Sequence, residues 1–291
     1  MRTLRWLDGV LIFGVSYLAS AIVVFPLAAV LPLREVTGVS IVVLVGIAYV
    51  WVRAVAGSPA RYAGVGAVSP RVLILTVIAS FAVMVPAMSL EAVVLERFKA
   101  PPEVIHALED LIRARNFPEM LYAILVAAVG ASVSEEFVFR GILQNSLSSR
   151  VSAWAALIIT TTVFALLHTL WRFPGAFMLG LFLGFLYMRT GSLIPGLVSH
   201  VVINGTSVVL FNMAESATTG IIPAWMEQDR PAPAWLLGAA LVVFAVVIAA
   251  LWRETGAGPY PLAHGGHPDG SYPFAHGGGS TPGGGGGHDI T

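Results

Sequence analysis

The sequence predicts an all-α protein: a polytopic membrane helix bundle of about eight transmembrane helices with a disordered C-terminal tail. Three observations predict it. Hydrophobic residues make up 57% of the 291 and charged residues only 11%, against about a quarter charged in ordinary soluble domains. The apolar residues fall in runs of about 20, the length that crosses roughly 30 Å of hydrocarbon. Beyond Thr255 the composition turns abruptly to Gly, Pro and His.

Breakers and charges bound the runs at residues 8–32, 38–56, 71–94, 118–147, 152–170, 174–189, 193–212 and 235–252. The first follows Arg2 and Arg5. It is too long for a signal-peptide core and lacks a small-residue cleavage site at its end, so it is read as a retained span. Between the third and fourth runs, residues 101–116 place Val104, Leu108 and Ile112 at helical spacing with charges opposite, a surface helix linking two spans. In the sixth run Gly180 and Gly184 stand four apart, a spacing that lets helix backbones approach closely. The chain thus divides into 1–117 (spans and surface linker), 118–212 (a core of four spans), 213–253 (last loop and span) and 254–291 (tail). The tail holds a near-repeat, "YPLAHGG" at 260–266 and "YPFAHGG" at 272–278. It is too poor in apolar residues to order itself, and its His264, His267, His276 and His288 can bind a metal ion only weakly.

These features place the chain in the cell membrane as a multi-pass protein with the lipid bilayer as its first partner. Short loops on one side collect Arg53, Arg61, Arg71, Arg150 and Arg189, which with Arg2, Arg5 and Arg253 puts the N-terminus in the cytoplasm. Sixteen basic and 16 acidic residues balance to zero, so no field of one sign points to nucleic acid. Cysteine is absent, which excludes disulfides, a thiolate nucleophile and thiolate metal ligands.

Ionisable groups near the bilayer centre cost a few kcal/mol each, so within spans they face the bundle interior and mark a pathway or a site. Here they are Glu135, Glu136 and Arg140 in the fourth run, His168 near the end of the fifth, and His200 with Asn204 in the seventh; Glu91 lies near a span end. Glu136 and Arg140, four apart, share a helical face and pair. Glu135 points about 100° away and must find its partner on a neighbouring helix or become protonated. His200 and Asn204, also four apart, project together. At about 1.5 Å per residue, Glu135 sits roughly 18 Å, His168 roughly 24 Å and His200 roughly 11 Å from the cytoplasmic ends, all within the hydrocarbon layer. Together they supply a carboxylate, two imidazoles and an amide, enough for general-base catalysis with oxyanion stabilisation. A structural ion pair at Glu136 and Arg140, a core histidine and an interhelical amide explain the same residues singly.

Three motifs give these residues a family likeness. "EEFVFR" at 135–140 fits Glu-Glu-x-x-x-Arg, "FALLH" at 164–168 fits Phe-x-x-x-His, and "HVVIN" at 200–204 fits His-x-x-x-Asn. In content, order and placement in spans they resemble the motifs of the CAAX protease and bacteriocin-processing (Abi) family of intramembrane endopeptidases, and "RTGSLIPG" at 189–196 resembles the loop before the third motif. The likeness makes 118–212 the catalytic core. It implies that Glu135 and His168 activate water, that His200 and Asn204 stabilise the oxyanion, and that Glu136 and Arg140 support the helix, with Arg140 near a substrate carboxylate. The implied substrate is a peptide or membrane protein. Members are commonly called metalloproteases, and Glu135, His168 and His200 can supply three ligands to zinc with an open fourth position. No cofactor is favoured, because the same side chains suffice without metal. A non-catalytic binding or bacteriocin-immunity protein of the same fold, and a proton-coupled transporter, stay open as rival readings.

Overall fold

The computed structural model describes residues 6–216 and 230–256. The tail from 257 onward with its histidines and near-repeat, most of the last loop, and Arg2 and Arg5 lie outside the described residues. The elements are α1 (Trp6–Leu27), α2 (Leu33–Ala56), α3 (Pro59–Ala63), α4 (Pro70–Phe98), α5 (Pro102–Ile112), α6 (Phe117–Ser148), α7 (Ala153–Leu166), α8 (Phe173–Thr190), α9 (Leu193–Ser216) and α10 (Ala234–Glu254). All of them are helices, and the protein is a multi-pass membrane protein: among the described residues seven, all but α3, α5 and α7, are long and apolar enough to cross a membrane. Their starts follow from local chemistry. Ser69 caps α4 by accepting from the Val72 amide at 3.3 Å, and Ser152 caps α7 through Ala155 at 3.2 Å. Asn116 and Glu119 cap α6 reciprocally, Asn116 Oδ1 accepting from the Glu119 amide and Glu119 Oε2 from the Arg115 amide.

Burial sorts the helices. In the most apolar stretch of α8, 67% of residues are buried, and in α4 56%, whereas α1, α2 and α10 bury 17%. The first pair is therefore interior and the other three form the lipid-facing shell, with Leu18, Ile22 and Phe25 of α1 exposed. One core joins α4, α8, α9 and α10 through Val83, Phe182, Leu186, Ile203 and Leu251. A second joins α6, α7 and α8 through Phe139, Leu143, Phe164, Ala165 and Ala176, and a third fastens α1 and α2 onto α6 through Ile12, Leu44, Val138 and Ile142. α6 belongs to both of the latter, so it runs through the middle of the bundle.

Three local features depart from the sequence-based picture. The fifth expected span, 152–170, is only the 14-residue α7, a rise of about 21 Å, short of the roughly 30 Å hydrocarbon layer. At its end the His168 ring Nδ1 donates to the Phe164 carbonyl at 2.8 Å, and the His168 amide turns to Ala165 at 3.2 Å. Second, α6 is not uniform: Ile124–Gly130 and Glu136–Gln144 wind more widely, in π fashion. Third, Arg189, read above as a loop charge, is 1% exposed. It donates from Nε to Thr255 Oγ1 at 3.1 Å and from Nη2 to the Trp252 carbonyl at 3.1 Å, with its guanidinium 4.1 Å from the Trp252 ring centre. It fastens the end of α10, which itself runs to Glu254, just inside the stretch assigned to the tail.

The surface helix expected between the third and fourth spans is α5. Arg34 of α2 donates to the carbonyls of Asp110, Leu111 and Arg113, and Asn212 of α9 both donates to Ile112 at 2.8 Å and accepts from Ala114 at 2.6 Å. The linker is thus fixed across the N-terminal end of α2 and the C-terminal part of α9. At the opposite end, Gly64, with φ +77°, lets the α2–α4 connection lie against the turn before α9: a Cβ there would stand 2.3 Å from the Gly191 carbonyl oxygen.

Candidate active site

Six polar residues singled out in the sequence lie on α6, on α9 and just past α7. On α6, Glu136 and Arg140 are 1% and 0% exposed and paired, Arg140 Nη1 donating to Glu136 Oε1 at 2.8 Å. Arg140 Nη2 also donates to the Gly180 carbonyl of α8 at 3.2 Å, and the guanidinium lies 4.7 Å from the centre of the Phe164 ring. Arg140 is thus fully enclosed. Gln144, a further four residues on, repeats the latch by donating to the Gly184 carbonyl at 3.0 Å. Gly180 and Gly184 pack as their spacing suggests: a Cβ on Gly180 would meet Thr161 and Phe164 of α7 at 3.0 and 3.1 Å.

His200 of α9 stands between the two glutamates. Its Nδ1 lies 2.8 Å from Glu136 Oε1, and its Nε2 lies 3.6 Å from Glu135 Oε2. Glu135 therefore has its partner on a neighbouring helix, as its direction on α6 requires. Its side chain keeps 25% exposure where that of Glu136 keeps 1%, so of the two adjacent carboxylates only Glu135 is open to a reacting molecule. Two contacts steady α9 here. Ser199 bonds Ser80 of α4 at 2.8 Å, and Gly196 leaves room for Glu136: a Cβ there would lie 2.9 Å from Oε2.

His168 reaches the same region from the loop after α7. Its Nδ1 is held by the Phe164 carbonyl, which leaves Nε2 as the free nitrogen. The Phe164 ring centre lies 4.5 Å from that of His168 and 6.1 Å from that of His200, so one aromatic ring flanks both imidazoles. Glu135 and His168 share the wall of a cavity of about 200 Å³, completed by Tyr17, Thr37, Ser40 and Phe139 among others. Irregular backbone at membrane depth is tolerated where it is buried or lines a water-filled cavity, and Leu167 and His168 line this one. His200 and Asn204 are outside its lining. Asn204 instead donates to Ser132 Oγ of α6 at 3.5 Å, one turn before Glu135.

Among the described residues no three His, Asp or Glu side chains are placed to hold a metal ion.

Three residues of the site were not singled out in the sequence, whereas Phe164 stands there as the first residue of the Phe-x-x-x-His motif. Gln144 had a signal, since it continues the 136, 140 stripe. Ser132 and Tyr17 had none, since a hydroxyl on an apolar helix is common and only the packing shows where it points.

Residues 117–206 match a family model, type II CAAX prenyl endopeptidase Rce1-like. That stretch holds all three motifs, and the likeness read from them holds over it. The match supports a CAAX protease-type hydrolase. No curated protein and no solved structure matches the chain.

Proposed function

We propose that the protein is an intramembrane endopeptidase that hydrolyses a peptide bond of a membrane-associated or lipidated protein or peptide with a water activated by Glu135 and His168. The observation that carries this reading is the placement of Glu135: on the cavity wall with His168, and in contact with His200 from a third element. The family match over 117–206 supports it.

In this reading a water in the cavity lies between the Glu135 carboxylate and His168. Its oxygen attacks the scissile carbonyl carbon while its proton passes to Glu135. The Asn204 amide and His200 Nε2, carried one turn apart on α9, stabilise the oxyanion, a role that comes from the motif likeness and in which His200 carries a proton on Nε2 as well as the one its Nδ1 holds toward Glu136. When the C–N bond breaks, the proton is delivered to the leaving amine, and His168, with Nε2 free, shares that transfer. Glu136 and Arg140, both enclosed, exchange no proton with the water or the substrate. No metal is required, so exhaustive chelation leaves cleavage unchanged. The N-terminus faces the cytoplasm.

The test compares new peptide termini in the membrane proteomes of cells carrying the wild type and Glu135→Gln. A set of termini present only with the wild type, and produced again by purified wild-type protein after chelation, is the expected result. Identical proteomes, with both proteins folded, would overturn the reading.

A further inference from the structure

Glu136 Oε1 is shared by two neighbours, each at 2.8 Å: Arg140 Nη1 and His200 Nδ1. The guanidinium is only a donor, so this oxygen accepts, and an accepting oxygen requires the hydrogen of the second contact to reside on His200 Nδ1. Nε2 is then the nitrogen left facing Glu135. His168 is held the same way from behind, its Nδ1 donating to the Phe164 carbonyl. Both imidazoles thus present Nε2. A buried ion pair is by itself a weak source of stability, yet this one directs a single oxygen at both neighbours, while Oε2 makes no hydrogen bond and rests over Gly196.

We infer that Glu136 is a positioning residue for the hydrolysis proposed above: held in place by Arg140, it fixes the tautomer and orientation of His200 so that Nε2 is the working nitrogen. The inference rests on the proteolytic reading for its purpose but on geometry for its content, and the two fail separately.

The experiment uses the full-length protein in lipid nanodiscs with ¹⁵N-labelled histidine, the His200 signals being assigned by their loss in His200→Ala. Wild type shows a protonated Nδ1 at His200. Glu136→Gln keeps a carbonyl acceptor and keeps that signature. The double variant Glu136→Leu with Arg140→Leu removes the pair together, which spares the fold an unpaired buried charge, and lets the tautomers mix. On a cleaved substrate the double variant loses about 10²-fold in kcat with KM within about twofold, and Glu136→Gln loses less. A double variant that keeps the Nδ1 proton overturns the inference, as does one whose tautomers mix while kcat stays at the wild-type value. If wild type cleaves nothing, the proteolytic reading fails, and the histidine spectra still decide how Glu136 acts on His200.

Discussion

His168 and His200 are the same side chain held by the same nitrogen, on opposite kinds of backbone. His168 sits where a helix has been broken, and its anchor is the carbonyl that the break set free. His200 sits inside a continuous helix, and its anchor is a carboxylate that an arginine holds from the far side. The first anchor belongs to the main chain and no substitution elsewhere removes it. The second depends on two buried charges and is therefore open to mutation. One imidazole is fixed by local geometry and the other by tertiary packing.

The largest effect that sharpens this contrast is expected at His168. His168→Ala lowers cleavage about 10²–10⁴-fold, while thermal unfolding shifts little, because the ring donates only to a carbonyl at the end of α7. A large loss of stability would place His168 in the structural rather than the reactive part of the molecule.

Arg140→Ala tests the other anchor and is expected to act through stability. It leaves Glu136 buried with its countercharge gone, at a cost of about 3–5 kcal/mol, read by denaturant or thermal unfolding in detergent. A near-neutral result would mean that the pair carries less of the packing between α6 and α8 than its contacts indicate. Gly196→Ala should cost about 1–3 kcal/mol, since the added methyl meets Glu136 Oε2 at 2.9 Å in a packed core. Because it also pushes the carboxylate that holds His200, turnover falls with it; an unchanged turnover separates the position of Glu136 from the work of His200. The smallest effect is at Gln144, which latches α6 to α8 without touching either histidine. Gln144→Ala costs about 1 kcal/mol and leaves the pH dependence of cleavage where it was.

Much of this was legible in the sequence because the relevant spacing is short. Four residues on a helix bring Glu136 to Arg140, and the same stripe reaches Gln144; that pairing needs no knowledge of the fold. The spans were legible as well, since lipid demands long apolar runs with satisfied backbones. What sequence did not show depends on competition or on distance along the chain. The stretch through Leu166, Leu167 and His168 is apolar enough to read as span, and the helix end, where the ring of His168 competes for the Phe164 carbonyl, leaves no mark in that composition. The wide winding of Glu136–Gln144 has no composition signal. The bridge from His200 to both glutamates joins residues more than sixty positions apart, and the exposure that distinguishes Glu135 from Glu136 arises from the neighbours of α6.

The central claim is that three separate elements meet at Glu135. The chain has no cysteine, so introduced pairs report without background: Glu135→Cys with His200→Cys, and Glu135→Cys with His168→Cys, each treated in native membranes with a short bifunctional thiol-reactive cross-linker such as a bis-methanethiosulfonate. Both pairs are expected to cross-link rapidly within one chain. Failure of the 135 and 200 pair to link, while each single cysteine is labelled, would contradict the account at its root.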